Sequence, residues 1–258
     1  SAGSEYYFGT IDEARIYGYA LSLAQVKIAK NDGIVAYGRA PVTAELPQSV
    51  LCGNSFTVNH VVAGGVAPVD KTVTYATTLT GIGGTGDKCW ITKNLGASQQ
   101  ATTVSDSTEA SAGWYWQFNR KQGYKYDTSR IPSSAWDATD DSTYTNWDPA
   151  KDPCTLELGA GWRLPTYTEY YNMDNTGGWT TWISAGGGPW GSVLKLHAAG
   201  YLYYSTGVLT LRGVRGYYWS STQDSATNGW YLFFTSSSSY MPSNPKAYGF
   251  SVRCLRDL

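Results

Sequence analysis

The stretch of residues 200–250 constrains the fold most, because it holds thirteen aromatic residues and four charged ones. Large apolar rings are usually buried, so this stretch must contribute to a hydrophobic core. It contains no apolar run close to the roughly 20 residues that a helix needs to span a bilayer. Tyrosines mixed with serines, as in the serine run 236–239, are also typical of antibody paratopes. The stretch therefore predicts short strands that expose some of their rings as a binding surface.

The hexapeptide 230–235 (WYLFFT) indicates which of these rings are buried. Successive side chains of a strand point to opposite faces of the sheet. One set is predicted to face the core: Trp230, Leu232 and Phe234. The alternate set is predicted to be exposed: Tyr231, Phe233 and Thr235.

The charge balance excludes one large class of partner. Nineteen basic and twenty acidic residues give a net charge of −1, and the Lys and Arg residues are spread along the chain. A nucleic-acid-binding domain normally carries a clustered basic patch, so no nucleic-acid partner is expected. The sequence also shows no charged leader followed by an apolar segment, and no membrane insertion is predicted.

The four cysteines indicate an oxidising compartment. They are widely separated, they form no C-x-x-C pair, and their even number suits disulfides of an extracellular protein. Three pairings are possible. Cys154 with Cys254, or Cys89 with Cys254, is favoured because either bond would tie the far end of the chain back to the domain.

The chain divides into three predicted parts. Residues 9–26 (GTIDEARIYGYALSLAQV) resemble the closing strand and turn of laminin-G-like, concanavalin-type jelly rolls, so residues 1–34 are predicted to be a remnant of such a domain. Residues 35–69 form a β-rich connecting segment, and residues 70–258 form the main domain. Asp12 and Glu13 would point to opposite faces of a strand and do not form a glycosidase pair. His60 and His197 each lack a second histidine nearby and are predicted to be structural.

The main domain contains one clear helix start. Pro165 restricts Leu164 to extended conformations, and Thr166 with Glu169 forms a capping-box pattern, which predicts a helix over residues 167–173. Three strands are predicted over residues 216–222, 229–234 and 248–254. Few helices and several short antiparallel strands predict an α+β domain.

Several phrases of this domain resemble a known family. CWITKNLG (89–96), DPC (152–154) followed by GWRLPT (161–166), and YYWSST (217–222) followed by GFSVRCLRD (249–257) resemble the Fibrobacter succinogenes major paralogous domain. The resemblance runs from about residue 70 to residue 258. It implies a C-type-lectin-like fold with small twisted antiparallel sheets, few helices and long loops. It also implies an extracellular protein at a cell or virion surface.

Residues 200–250 further resemble the variable region of proteins diversified by retroelements that mutagenise adenines. Asn codons changed at their adenines give Tyr, Ser, Phe, Leu, Pro, Thr, Val, Arg, Asp or Gly, but not Trp, Met, Lys, Glu or Gln. The residues predicted to bind ligand are Tyr201, Tyr203, Tyr204, Leu211, Val214, Arg215, Tyr231, Phe233, Thr235, Ser238, Ser239, Tyr240, Pro242, Ser243 and Asn244.

These observations favour a non-enzymatic module for receptor recognition or adhesion, with a protein or glycan ligand and no cofactor. One alternative is a fixed, calcium-dependent sugar-binding module, because carboxylates cluster in one loop-like stretch and supply hard oxygen ligands. The candidate calcium ligands are Asp137, Asp140, Asp141, Asn146, Asp148 and Asp152. A second alternative, an enzyme of the formylglycine-generating type, rests on fold analogy alone, and nothing in the sequence indicates a reactive thiol.

Overall fold

A computed structural model describes residues 52–82, 88–134, 136–139, 145–184 and 187–258. The predicted jelly-roll remnant (1–34) and residues 35–51 of the predicted connecting segment lie outside the described residues. Residues 52–69 contribute the first described strand, which pairs with a strand of the main domain.

The described residues contain fifteen strands. They are β1 (Ser55–His60), β2 (Lys71–Leu79), β3 (Lys88–Ile91), β4 (Tyr115–Gln117), β5 (Gly123–Tyr126), β6 (Arg130–Ile131), β7 (Trp162–Arg163), β8 (Tyr201–Leu202), β9 (Leu209–Thr210), β10 (Gly216–Gln223), β11 (Asn228–Phe234), β12 (Ser239–Tyr240), β13 (Ser243–Pro245), β14 (Gly249–Ser251) and β15 (Leu255–Asp257). The helices are a short 3-10 helix (Val62–Gly64), α1 (Glu109–Ala112), α2 (Pro153–Leu158), α3 (Tyr167–Thr176) and α4 (Gly188–Gly191).

These strands form two sheets. A five-stranded sheet has the order β1-β2-β3-β15-β7. A ten-stranded sheet follows the path β12-β11-β10-β14-β4-β5-β6, with β13 paired to β11 and with β8 and β9 attached through β14. Among the described strands, β10 and β14 pair in parallel and the other pairs are antiparallel.

The prediction of an α+β, C-type-lectin-like domain is wrong. The described residues are β-rich, with 31 % in strands against 14 % in helices. Apart from α3, the described helices are one or two turns long, and several strands have only two or three residues. A strand of two or three residues is too short to show an alternation of apolar and polar side chains. The sequence pattern therefore underestimated how many residues lie in sheets.

The individual element predictions fared better. The Thr166 hydroxyl accepts a hydrogen bond from the Glu169 amide (3.2 Å), and the Glu169 carboxylate accepts one from the Thr166 amide (2.8 Å). This reciprocal cap confirms the predicted helix start, although α3 continues to Thr176. Strands β10, β11 and β14 confirm the three strands predicted near the end of the chain.

Strand β11 is covered on both of its faces. Leu232 and Phe234 pack with Tyr218 of β10 and with residues of α3. Tyr231 and Phe233 pack in a second cluster and are only 5 % and 8 % exposed. The predicted alternation is therefore correct, but the prediction that Tyr231 and Phe233 are exposed is wrong.

Trp230 was predicted to be a core residue, yet it is only half-buried. Its ring lies 4.9 Å from that of Tyr167 at the start of α3. The run of apolar residues in β11 thus matches a strand buried on both faces rather than one with a solvent face.

Two disulfides use all four cysteines of the sequence. The Cys154–Cys254 bond confirms one of the two favoured pairings. Cys89 bonds to Cys52, so the alternative pairing of Cys89 with Cys254 is wrong. Disulfides fit an oxidising, extracellular environment. No helix within the described residues is long and apolar enough to cross a bilayer.

Candidate functional site: a tyrosine surface

Eight aromatic side chains from β8, β10, β11, β12 and the loops around them form a continuous group, which we call the tyrosine surface. Its members are Tyr201, Tyr203, Tyr204, Tyr217, Tyr231, Phe233, Tyr240 and Tyr248. Ring centroids lie 4.7 Å apart for Tyr203 and Tyr204, and 5.3 Å apart for Tyr204 and Tyr248. The contacts continue from Tyr248 to Tyr201 at 5.5 Å.

The same chain of contacts runs on across β10, β11 and β12. Tyr201 meets Tyr217 at 4.7 Å, Tyr217 meets Phe233 at 5.2 Å, and Phe233 meets Tyr240 at 5.1 Å. Offset and edge-on aromatic pairs at these distances stabilise one another beyond simple area burial. The rings are therefore held in fixed positions relative to one another.

The exposure of these rings is graded. Tyr203 and Tyr204 are each 37 % exposed and Tyr240 is 49 % exposed, whereas Tyr217 is buried. Below the surface lies Phe250, a fully buried ring that contacts four of its members. The buried rings act as a base that supports the exposed ones.

The loop that carries Tyr203 and Tyr204 is closed by its own backbone. The Tyr203 amide donates to the Val208 carbonyl (2.9 Å), and the Gly207 amide donates to the Tyr203 carbonyl (2.7 Å). Gly207 has a φ of +65°, and a Cβ there would lie 2.1 Å from a guanidinium nitrogen of Arg130. The turn therefore requires glycine at this position.

Two side chains from the β5–β6 region fasten this loop from outside. The Trp136 indole Nε1 donates to the Tyr204 carbonyl (2.7 Å), and Arg130 Nη1 donates to the Thr206 carbonyl (2.5 Å). The Arg130 guanidinium lies over the Trp136 ring at 5.1 Å, and Trp136 packs edge-on against Tyr124. Tyr203 and Tyr204 are thus presented by a rigid loop.

Three phenols of the surface, those of Tyr203, Tyr231 and Tyr248, have raised pKa values and are uncharged at neutral pH. Burial raises the pKa of Tyr248 to about 12. Burial is the main cause that raises the pKa of Tyr231, and the surrounding phenols raise it further. Interaction with Tyr204 raises the pKa of Tyr203. Neutral phenols both donate and accept hydrogen bonds, so the surface combines apolar faces with adaptable polar groups.

Two polar side chains border the rings. The Asn244 amide Nδ2 donates to the Tyr231 hydroxyl (2.9 Å). Arg215 is exposed, and its carbonyl accepts the amide of Gly200, the residue before Tyr201 (2.9 Å). The structure therefore brings together eight of the residues predicted to bind ligand: Tyr201, Tyr203, Tyr204, Arg215, Tyr231, Phe233, Tyr240 and Asn244.

Four other predicted residues lie on turns. The Thr235 amide donates to the Ser238 carbonyl (2.8 Å), and the two hydroxyls are 2.9 Å apart, so this pair closes the β11–β12 turn. The Val214 amide donates to the Leu211 carbonyl (3.0 Å) in the turn between β9 and β10. Val214 is exposed and Leu211 is partly exposed.

The remaining three predicted residues make hydrogen bonds that stabilise the sheet or attach it to neighbouring elements. The Ser239 hydroxyl donates to Asp174 of α3, on the face of β12 opposite Tyr240. The Ser243 hydroxyl donates to Asp224 (2.8 Å) in the β10–β11 turn. The Pro242 carbonyl accepts the Tyr231 amide (3.0 Å).

Two members of the tyrosine surface were missing from the predicted set, Tyr217 and Tyr248. Tyr217 lies two residues before the buried Trp219 on β10. Tyr248 directly precedes β14 and lies two residues before the buried Phe250. The period-2 spacing places each pair on one face, so it signals the position of the tyrosines. The pattern does not show that this face of the sheet continues into exposed rings.

The carboxylates proposed as calcium ligands have other contacts where the structure describes them. Asp152 caps α2 and accepts hydrogen bonds from the Cys154 and Leu164 amides (2.8 Å each). Asp137 pairs with Arg120 at 2.7 Å. The described residues contain no group of three or more His, Cys, Asp or Glu that could hold a metal ion. Asp140 and Asp141 lie outside the described residues.

Both histidines are buried, and His60 is hydrogen-bonded through its side chain and His197 through its backbone. His60 contacts Glu157 through Nδ1 and the Tyr75 hydroxyl through Nε2 (2.9 Å). The His197 backbone exchanges hydrogen bonds with the Tyr218 hydroxyl. Burial lowers the pKa of His197 to about 3, so its imidazole is neutral. These contacts agree with the structural roles predicted for both residues.

Part of the chain is similar to a known family model. A family model described as a domain of unknown function (DUF8237) matches residues 187–255, well under half of the chain. No curated protein matches the sequence. The matched residues contain the whole tyrosine surface, whereas Arg130 and Trp136, which fasten its loop, lie outside them.

Proposed function

We propose that this protein is a non-enzymatic recognition module, displayed at a cell or virion surface, that binds a protein ligand through the tyrosine surface. The observation that supports this most is the presentation of exposed Tyr203 and Tyr204 on a loop fastened by Trp136 and Arg130. A site that is already ordered loses little conformational entropy on binding, and this favours affinity.

The composition of the surface favours a protein ligand. Tyrosine gives large, rigid contact area at low entropic cost, and it is enriched among the residues that dominate binding energy at protein interfaces. Serines on the β11–β12 turn and Asn244 add small polar groups beside the rings. Since all four cysteines are paired, none of them offers a thiolate for catalysis.

The proposal includes diversification of this surface by a retroelement. Exposed positions such as Tyr203, Tyr204 and Tyr240 are the ones where a new side chain changes the ligand without removing core contacts. Tyr231 and Phe233 support the surface from below, so variation there is restricted to residues that still fill the core.

Panning a phage-displayed random-peptide library on the immobilised protein supplies ligands with which to test this function. The double variant Tyr203→Ser/Tyr204→Ser is expected to bind the enriched peptides at least about thirtyfold more weakly, or about 2 kcal/mol, as for interface hot spots. Binding is measured by surface plasmon resonance, and unfolding is followed by circular dichroism.

The matched control is Tyr171→Ser. It removes another exposed tyrosine, on α3, whose ring stacks on Tyr167 rather than on a member of the tyrosine surface. This variant should bind the peptides as the wild type does, and both variants should keep the wild-type melting temperature within a few degrees. Equal binding by the wild type and the Tyr203/Tyr204 variant contradicts the proposal.

A further inference from the structure

The charge at the edge of the tyrosine surface indicates the chemistry of its ligand. Among the described arginines, Arg215 is the exposed one. The others have internal partners. Arg120 and Arg163 pair with carboxylates, Arg130, Arg212 and Arg253 donate to backbone carbonyls, and Arg256 packs over Trp162. Arg215 belongs to none of the ion pairs within the described residues.

Two backbone hydrogen bonds hold Arg215 in place. Its amide donates to the Leu211 carbonyl (3.1 Å), and its carbonyl accepts the Gly200 amide (2.9 Å). Gly200 directly precedes Tyr201, and Arg215 lies two residues before Tyr217, whose ring centroid is 4.7 Å from that of Tyr201. The backbone of Arg215 is therefore held between Tyr201 and Tyr217, and its exposed side chain places a positive charge at this edge of the tyrosine surface.

The side chain of Arg215 offers only hydrogen-bond donors. A guanidinium has several N–H groups and no acceptor. An anion that accepts several hydrogen bonds, such as a carboxylate, matches such a set.

Carboxylates near these strands contact other partners. Asp174 accepts the Ser239 hydroxyl at α3, and Asp224 accepts the Ser243 hydroxyl at the β10–β11 turn. Neither of these carboxylates pairs with Arg215 in the described ion pairs. The tyrosine surface therefore combines neutral phenols with one positive charge at its edge.

We infer that the tyrosine surface binds an acidic peptide segment, with an Asp or Glu carboxylate held by Arg215 beside Tyr217 and with neighbouring side chains covering Tyr201 and Tyr203. This inference rests on the proposed function and names its ligand class. Electrostatic complementarity of this kind selects partners and accelerates their association.

The test uses the peptides enriched by panning on the wild-type protein at about 0.1 M ionic strength, where surface charges still interact over roughly 10 Å. The enriched peptides are expected to contain Asp or Glu. Arg215→Gln should bind them at least about tenfold more weakly, as expected for an Arg that anchors an interface. Arg215→Lys should recover part of the affinity, because it restores the charge without the planar fork.

The control variant Lys121→Gln removes one positive charge at an exposed position elsewhere in the chain. It should leave peptide binding unchanged, and raising the salt concentration should weaken the wild type more than Arg215→Gln. Equal losses in the Lys121 and Arg215 variants would mean that only the net charge matters, and this overturns the inference.

Other outcomes separate the inference from the proposed function. If the peptides bind Arg215→Gln as tightly as the wild type but lose affinity for Tyr203→Ser/Tyr204→Ser, the acidic ligand is wrong and the site stands. If they bind both variants normally, the site itself is wrong. If no peptide is enriched and polygalacturonate, an acidic glycan, binds instead, a peptide is not the ligand.

Discussion

At the residue scale, Tyr231 and Phe233 show why the exposure of a side chain cannot be predicted from the pattern of a single strand. The alternation in β11 separated two sets of side chains correctly, but both sets are buried because other elements pack on each face. The hydroxyl of Tyr231 is satisfied by Asn244, thirteen residues away in sequence. A polar group on an aromatic ring therefore does not predict exposure when a partner from another strand meets it.

Burial assigns different roles to neighbouring members of the tyrosine surface. Phe233→Ala is expected to lower the free energy of unfolding by about 3 to 5 kcal/mol, because it removes a packed core ring. Tyr203→Ala, at an exposed ring, should change it by no more than about 0.5 kcal/mol. Urea unfolding followed by tryptophan fluorescence measures both values.

The same asymmetry should appear among copies of the gene in a population of the source organism. Sequencing should find substitutions at positions 203, 204 and 240, with aromatic or similarly large apolar residues kept at 231 and 233. A Phe233→Ala protein as stable as the wild type, or free variation at position 233, would show that this ring does not support the fold.

At the element scale, the sequence predicts structures whose hydrogen bonds lie close together in the chain. The capping box of α3 joins residues three apart and was readable at once. The support for the Tyr203–Tyr204 loop joins residues 68 and 76 apart, from Trp136 to Tyr204 and from Arg130 to Thr206. No local pattern encodes such pairs, so the rigidity of the loop could not be predicted.

The indole of Trp136 offers a test of that rigidity. Trp136→Phe keeps an aromatic ring but removes the donor to the Tyr204 carbonyl. Backbone amides of the loop, including those of Tyr203 and Gly207, are expected to exchange with deuterium faster, because local opening costs less free energy. Peptide binding should weaken as well, since ordering the loop then opposes association.

The control is Trp147→Phe, which loses a comparable indole hydrogen bond to the Lys151 carbonyl (3.1 Å) in a different loop. It should leave exchange in the Tyr203–Tyr204 loop unchanged. Unaltered exchange in Trp136→Phe would mean that the backbone of the loop is rigid without the indole.

At the scale of the whole molecule, the architecture depends on contacts between distant segments. The sequence predicted disulfides, because an even set of separated cysteines in a weakly charged chain is a compositional signal. One of its two favoured pairings, Cys154 with Cys254, is present, and it ties the far end of the chain back to the domain. The sequence did not predict a β-rich fold, in which two-residue strands such as β8 and β9 complete a ten-stranded sheet. Only the assembled sheet makes strands that short stable.

The two disulfides should differ in their contribution to stability. The Cys154–Cys254 bond spans 100 residues and the Cys52–Cys89 bond spans 37. The loss of loop entropy in the unfolded chain then predicts stabilisation of about 4.7 and about 3.8 kcal/mol respectively. Urea unfolding of Cys154→Ser/Cys254→Ser and Cys52→Ser/Cys89→Ser compares them. A larger loss in the second variant would indicate that native contacts, rather than chain entropy, decide the difference.

The position of β15 between β3 and β7 has a consequence for biosynthesis. While the ribosome is still translating the segments that follow, β3 has no partner on that side, and its unpaired edge is a template for pairing with other chains. The five-stranded sheet cannot close until residues 255–257 have left the exit tunnel, and Cys254 emerges only just before them. Folding of this sheet is therefore completed after nearly all of residues 1–258 have been made, and the edge of β3 stays open to other chains until then.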